Sequence, residues 1–185
     1  MEFGYTIPLQ KYVGIKRLGY GTESSRLFCW DMHVIRLHGR ECLLAVNCAN
    51  RYTVAAGMAP ADWNRLPAAA LGCIRAALLA DGFPQAQVEW YLEQAGNVRV
   101  TRTHGRREVA FLNRAWDDAV MQDWLFDPQE SCQFLLNRGV NGVSCRCAGH
   151  EGIGIPQERM ALDLKENSEH VLARRQKRGH REGSK

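Results

Sequence analysis

The densest group of residues able to do chemistry lies between Arg99 and Arg114. Arg99, Arg102, Arg106, Arg107 and Arg114 sit there with His104 and Asn113 against the single acid Glu108. The run Arg102-Thr103-His104-Gly105-Arg106-Arg107 straddles a turn from strand to helix, so several cations could converge on one ligand. Free N–H groups at a helix start suit the same anionic chemistry. The expected anion-binding set is therefore Arg102, His104, Arg106, Arg107, Asn113 and Arg114. His104 is the one candidate acid or base. No nucleophile accompanies it, so no catalytic residue is assigned. The competing reading is an exposed turn whose arginines pair with surface carboxylates.

A second group, Cys132, Cys145, Cys147 and His150, has the composition of a Cys₃His zinc site. The glycines at 139, 142, 149 and 152 would permit the necessary turns. The usual pair of Cys-x-x-Cys spacings is missing, which favours incidental reduced thiols in a loop. No cofactor is expected, with zinc on these four residues as the alternative. Cys29, Cys42, Cys48 and Cys73 lie in or beside apolar runs and read as core. Neither a Gly-x-Ser-x-Gly elbow nor a phosphate loop is present. Asp117, Asp118 and Asp123 read as one solvated acidic face, His33 and His38 have no ligand at metal spacing, and the five Trp read as core or interface.

Several elements must hold these groups. His33–Leu37, Glu41–Val46 and Arg51–Ala56 are strand-like runs joined by turns at His38-Gly39 and Asn47–Asn50, an antiparallel meander. After Gly57 the period lengthens. Leu66, Ala70, Cys73, Ile74, Ala77 and Leu78 share one face of a helix over 67–80, and Pro84 opens a second that ends at Gly96. Val98–Thr103 alternates like a strand with one buried face, and a third helix follows Gly105. Residues 1–26 are mixed, with a short helix or turn around Leu9–Val13. The expectation is an α+β fold in the order β-β-β-α-α-β-α, its antiparallel sheet (a three-stranded meander plus a later strand) packed with about three helices. The division is a domain over 1–127, a C-terminal extension over 128–165 and a basic, disordered tail over 166–185.

The chain has 185 residues and a formal net charge of +4. Residues 171–185 hold six basic groups against Glu182 alone, so the first 170 carry 18 basic and 19 acidic groups. The globule is close to neutral, and the average charge is poor evidence for nucleic acid. The 45% hydrophobic content excludes wholesale disorder. No apolar run reaches membrane-spanning length and no signal peptide is visible. With seven Cys, this points to a cytoplasmic protein with reduced thiols and no membrane partner.

Short motifs add a resemblance. Ile7-Pro8-Leu9-Gln10-Lys11-Tyr12, Gly14-Ile15-Lys16 and Leu27-Phe28-Cys29-Trp30 resemble the opening of a bacterial family known only as a domain of unknown function. Arg40-Glu41-Cys42-Leu43-Leu44-Ala45-Val46-Asn47, Arg51-Tyr52-Thr53-Val54, Thr101-Arg102-Thr103-His104-Gly105-Arg106 and Leu112-Asn113 are similar to its later motifs. Leu136-Asn137-Arg138 and Ile155–Met160 extend the likeness to about residue 160. The resemblance supports the fold boundaries and the His104/Asn113 region, and it implies no reaction.

The expected function is a non-enzymatic binding or regulatory module. Its partner, a protein or a nucleic acid, would meet the Arg99–Arg114 region or the basic tail. A small RNA-cleaving or phosphoryl-transfer enzyme with His104 as acid or base is one alternative. A structural interaction protein is another.

Overall fold

The computed structural model describes residues 1–168. Five strands form its sheet: β1 (Glu2–Tyr5), β2 (Cys29–Leu37), β3 (Arg40–Asn47), β4 (Thr53–Gly57) and β5 (Arg99–Arg102), in the spatial order β4-β3-β2-β1-β5. The meander β2-β3-β4 is antiparallel. His38 and Gly39 both take positive φ (46° and 76°), the handedness of a type I′ turn that matches strand twist in a two-residue hairpin.

The expected antiparallel sheet is corrected to a mixed one. β1 pairs parallel with β2 on one side and with β5 on the other. β1 escapes a sequence reading because it is four residues long and carries Glu2 and Gly4, which interrupt the apolar alternation. All four of its residues are buried. The short helix near Leu9 is α1 (Ile7–Tyr12), with Thr6 as its N-cap.

The helix count is also corrected, from about three to seven among the described residues. Besides α1 they are α2 (Pro60–Trp63), α3 (Leu66–Ala80), α4 (Gln85–Ala95), α5 (Arg106–Met121), α6 (Phe134–Asn141) and α7, which covers 156–168. None is long and apolar enough to cross a membrane. The basic tail expected over 166–185 lies, from residue 169 on, outside the described residues.

Strand alternation divides the core into two layers. Phe3, Tyr5, Trp30, Met32, Leu43, Ala45 and Val54 face α3, α4 and α7, packing on Leu66, Ile74, Leu78, Val88, Tyr91, Met160 and Leu164. Ile35, Leu37, Leu44, Val46 and Ala55 face the other way, onto Leu112, Ala115 and Ala119 of α5 and Leu136 and Val140 of α6. In the first layer the Trp30 indole N–H donates to Tyr91 Oη at 2.8 Å, and Tyr91 Oη–H donates to the Leu27 carbonyl at 2.8 Å. Both buried aromatics thereby keep their polar atoms paired.

Residues 131–141 close the β4 edge of the sheet. Gly57 N–H donates to the Ser131 carbonyl, Gln133 N–H donates to the Ala55 carbonyl, and Ala56 bridges to Cys132. One turn apart on α6, Asn137 and Asn141 turn their amides onto the same strand. Asn137 Oδ1 accepts from Ala55 N at 2.7 Å, while Asn141 accepts from Thr53 N at 2.7 Å and donates to Thr53 O at 2.8 Å. An edge that would otherwise present unpaired amides is sealed by two side chains.

Candidate functional site

The parallel strands place a polar cluster under the α5 side of the sheet. Register sets Glu2 beside Cys29 and Arg99, and Gly4 beside Asp31 and Thr101. Just past β5, the chain turns His104 back over Gly4. A Cβ at Gly4 would be 2.9 Å from His104 Nδ1 and 2.9 Å from Thr103 Cα, and would fall on the Asp31 carboxylate. A Cβ at Gly21 would fall on the Glu2 carboxylate. Two side chains of no size thus leave room for three charged ones.

His104 is held from both sides. Its Nδ1 lies 2.7 Å from Asp31 Oδ1, and its backbone N–H donates to the same oxygen at 3.1 Å. Its Nε2 lies 3.4 Å from Glu2 Oε2, and neither of those two atoms has a hydrogen-bond partner. The other Glu2 oxygen accepts from Thr22 N at 2.8 Å. Cys48 Sγ stands 3.6 Å from His104 Nδ1, and its backbone N–H donates to the Cys29 carbonyl. The His104 side chain is 3% exposed, Glu2 4% and Asp31 1%.

Burial alone would lower the basicity of His104, but the hydrogen bond to Asp31 and the nearby Cys29 and Cys48 outweigh it and push the ring up to about 12. Burial pushes the Asp31 carboxyl up, against the pull of the His104 hydrogen bond and charge. Burial also acts to raise Glu2, yet the amides of Thr22 and Glu23, together with His104, hold it below the usual carboxylate range. Burial drives the Cys48 thiol up to about 12. The result is an imidazole ring set between two carboxylates, with all three side chains buried.

The expected anion-binding set separates. His104 is buried in this cluster, whereas Arg102 is exposed, bonded to Tyr20 and stacked on its ring. Arg106 and Asn113 are exposed on α5. The start of that helix is taken by Glu108, which folds back toward Gly105 and pairs with Arg26 at 3.5 Å. Arg107 and Arg114, by contrast, flank Phe111 on one face of α5 at i, i+4 and i+7. Two cavities open along that face. One, of about 700 Å³, is bounded by Arg107, Phe111, Arg146, His150 and Glu151, and the other, of about 380 Å³, by Arg51, Phe111, Arg114, Asp118 and Arg146. Arg146 belongs to both, and among the described residues it makes no ion pair.

The four residues of the expected zinc set are not brought together. Cys132 lies on the β4 edge with its Sγ against Cys73 and Asn137, Cys147 Sγ takes the Arg159 guanidinium at 3.2 Å, and His150 pairs with Asp163 at 2.9 Å. Cys145 pairs with Gly154 through its backbone alone. Among the described residues, the trios whose ligand atoms lie within 4.8 Å of one another are Glu2–Cys29–His104 and Asp31–Cys48–His104.

Sequence reasoning found His104 and missed Glu2 and Asp31. Asp31 left a signal: it stands on the inward alternation of an otherwise apolar strand, Cys29-Trp30-Asp31-Met32, where an unpaired charge would be costly. Glu2 left none, since its partners come from the far side of the chain.

A family model described as "Domain of unknown function (DUF6933)" matches residues 2–159. No curated protein and no solved structure matches the chain.

Proposed function

We propose a function from the surface of this chain, which belongs to the DUF6933 family of domains of unknown function: it is a non-enzymatic module that binds single-stranded nucleic acid along α5. The observation that supports this reading is the line of guanidinium groups, Arg107, Arg114 and Arg146, around the half-buried ring of Phe111 in a pair of adjoining cavities. Basic side chains spaced along a groove neutralise successive phosphates, and the Arg107 guanidinium, 5.9 Å from the Phe111 ring centroid and bonded to the Cys147 carbonyl, forms with that ring a planar surface on which a base can stack. Glu151 borders the groove and limits how much anion it accepts, while the Asp118 carboxylate is taken by the buried Arg51. The alternative with His104 as acid or base loses support. The ring is buried between Glu2 and Asp31, and a substrate has no exposed nitrogen to meet.

The test is fluorescence anisotropy of a labelled mixed-sequence RNA with the full chain across a salt series. Three phosphate contacts give a slope of about −2 in log K against log salt, or roughly 20-fold weaker binding from 50 to 200 mM. Arg107→Ala and Arg146→Ala should each flatten the slope by about 0.7. Binding without salt dependence, or unchanged in both variants and lost on deleting residues 171–185, refutes the groove. Preference for an acidic peptide over RNA assigns the same groove to a protein partner instead.

A further inference from the structure

We propose that Glu2, Cys29 and His104 form a buried binding site for a zinc-class divalent cation, with Asp31 orienting the histidine. The three residues arrive from three directions: Glu2 from β1, Cys29 from the parallel neighbour β2, and His104 from the turn after β5. Their ligand atoms lie within 4.8 Å of one another. A carboxylate oxygen, a thiolate and an imidazole nitrogen are the donor types that zinc combines in tetrahedral sites.

The two sides of the imidazole ring differ. On the Nδ1 side the contact with Asp31 is 2.7 Å, a formed charge-assisted hydrogen bond that leaves no room for an ion. On the Nε2 side, Glu2 Oε2 stands 3.4 Å away, and both atoms are buried with no partner. Two ligands at ~2.0 Å from a tetrahedral zinc are ~3.3 Å apart, so this gap has the length of a coordination edge. A buried ion pair would align the N–H on the carboxylate, because an unmade buried hydrogen bond is costly. A metal ion accounts for two orphaned atoms that a proton leaves unsatisfied.

The surroundings are those of a ligand shell. Asp31 fixes the ring through Nδ1, the role that carboxylates take behind metal-bound histidines. The Thr22 amide pins the second oxygen of Glu2, so that Oε2 points inward. Gly21 clears the space in front of it. On uptake the ion replaces the proton on His104 Nε2 and the thiol proton of Cys29, releasing both, which leaves two anionic donors balancing the dication. A fourth donor from water completes the tetrahedron. Cys48 lies on the Nδ1 side and takes no part.

The experiment uses the full chain, stripped by chelator in mild denaturant and refolded with Co²⁺. One equivalent should give the visible bands of tetrahedral cobalt and a thiolate-to-cobalt charge-transfer band. Cys29→Ser should abolish the charge-transfer band, while Cys145→Ser and Cys147→Ser leave it unchanged. Asp31→Asn should weaken binding by about 10- to 100-fold. X-ray absorption on the wild-type zinc form, which needs no variant to fold, should show one sulfur among nitrogen and oxygen neighbours. The proposal is overturned if the wild type takes up no metal, if the band survives Cys29→Ser, or if the zinc shell holds no sulfur or more than one.

Discussion

Replacing Gly4 by alanine isolates the close approach on which the buried cluster depends. In a strand, alanine is favoured over glycine by about 0.5–1 kcal/mol, so propensity alone predicts a more stable protein. The structure reverses the sign. The new methyl would fall on the Asp31 carboxylate and lie 2.9 Å from both His104 Nδ1 and Thr103 Cα. The carboxylate can swing away only by giving up its bond to His104, a charge-assisted interaction of roughly 1.5–3 kcal/mol. The Thr103 backbone can retreat only with β5, and overpacking of that kind costs about 1–3 kcal/mol. The net expectation is destabilisation by about 2–4 kcal/mol, or roughly 5–15 °C in Tm for a chain of this length. Gly72→Ala is the matched control: it is exposed within α3, a Cβ there meets nothing within 4 Å, and the variant should gain about 1 kcal/mol. Urea unfolding of both variants reads the contrast. A Gly4→Ala midpoint at or above wild type would mean that β1 does not lie this close to Asp31 and His104.

Two further outcomes follow from other parts of the fold. Asn141→Leu strips both partners from the Thr53 backbone and should cost roughly 2–5 kcal/mol in urea unfolding, against less than about 0.5 for Leu135→Ala on the exposed face of the same helix; equal effects would remove the edge-sealing role. Burial holds His33 below its ordinary 6.5. Above pH 6.5 the ring is neutral folded and unfolded, but as pH falls through 6.5 toward the folded value the unfolded chain takes up a proton first, and stability declines. Relative to His33→Gln, the wild type should therefore be flat well above pH 6.5 and lose ground as pH falls below it. A relative gain on acidification would contradict the burial.

Much of the fold follows from periodicities written in single segments. The apolar run of β3 and the apolar stripe of α3 are local patterns, and their boundaries are read within a residue, whereas β2 begins at Cys29, four residues before the expected His33. β1 has no such pattern, because Glu2 and Gly4 are dictated by the cluster rather than by the sheet. Its parallel pairing with strands about 27 and 97 residues away is a property of topology that no window contains. The site divides in the same way. The Arg99–Arg114 cluster is legible, but its convergence is not: a strand end and a helix send Arg102, His104 and Arg107 in different directions. The face that does converge, Arg107, Phe111 and Arg114, obeys the helical period and could have been drawn from spacing. Arg146, which completes it, comes from a loop 32 residues beyond Arg114 with no periodic signal of its own.

The groove along α5 is tested most directly by ¹⁵N-resolved NMR of the full chain titrated with a short single-stranded RNA. Shifts should concentrate at Arg107, Phe111, Arg114 and Arg146 and saturate together, with the amide of His104 unmoved. Shifts confined to residues beyond 168, or none at saturating RNA, would contradict the account.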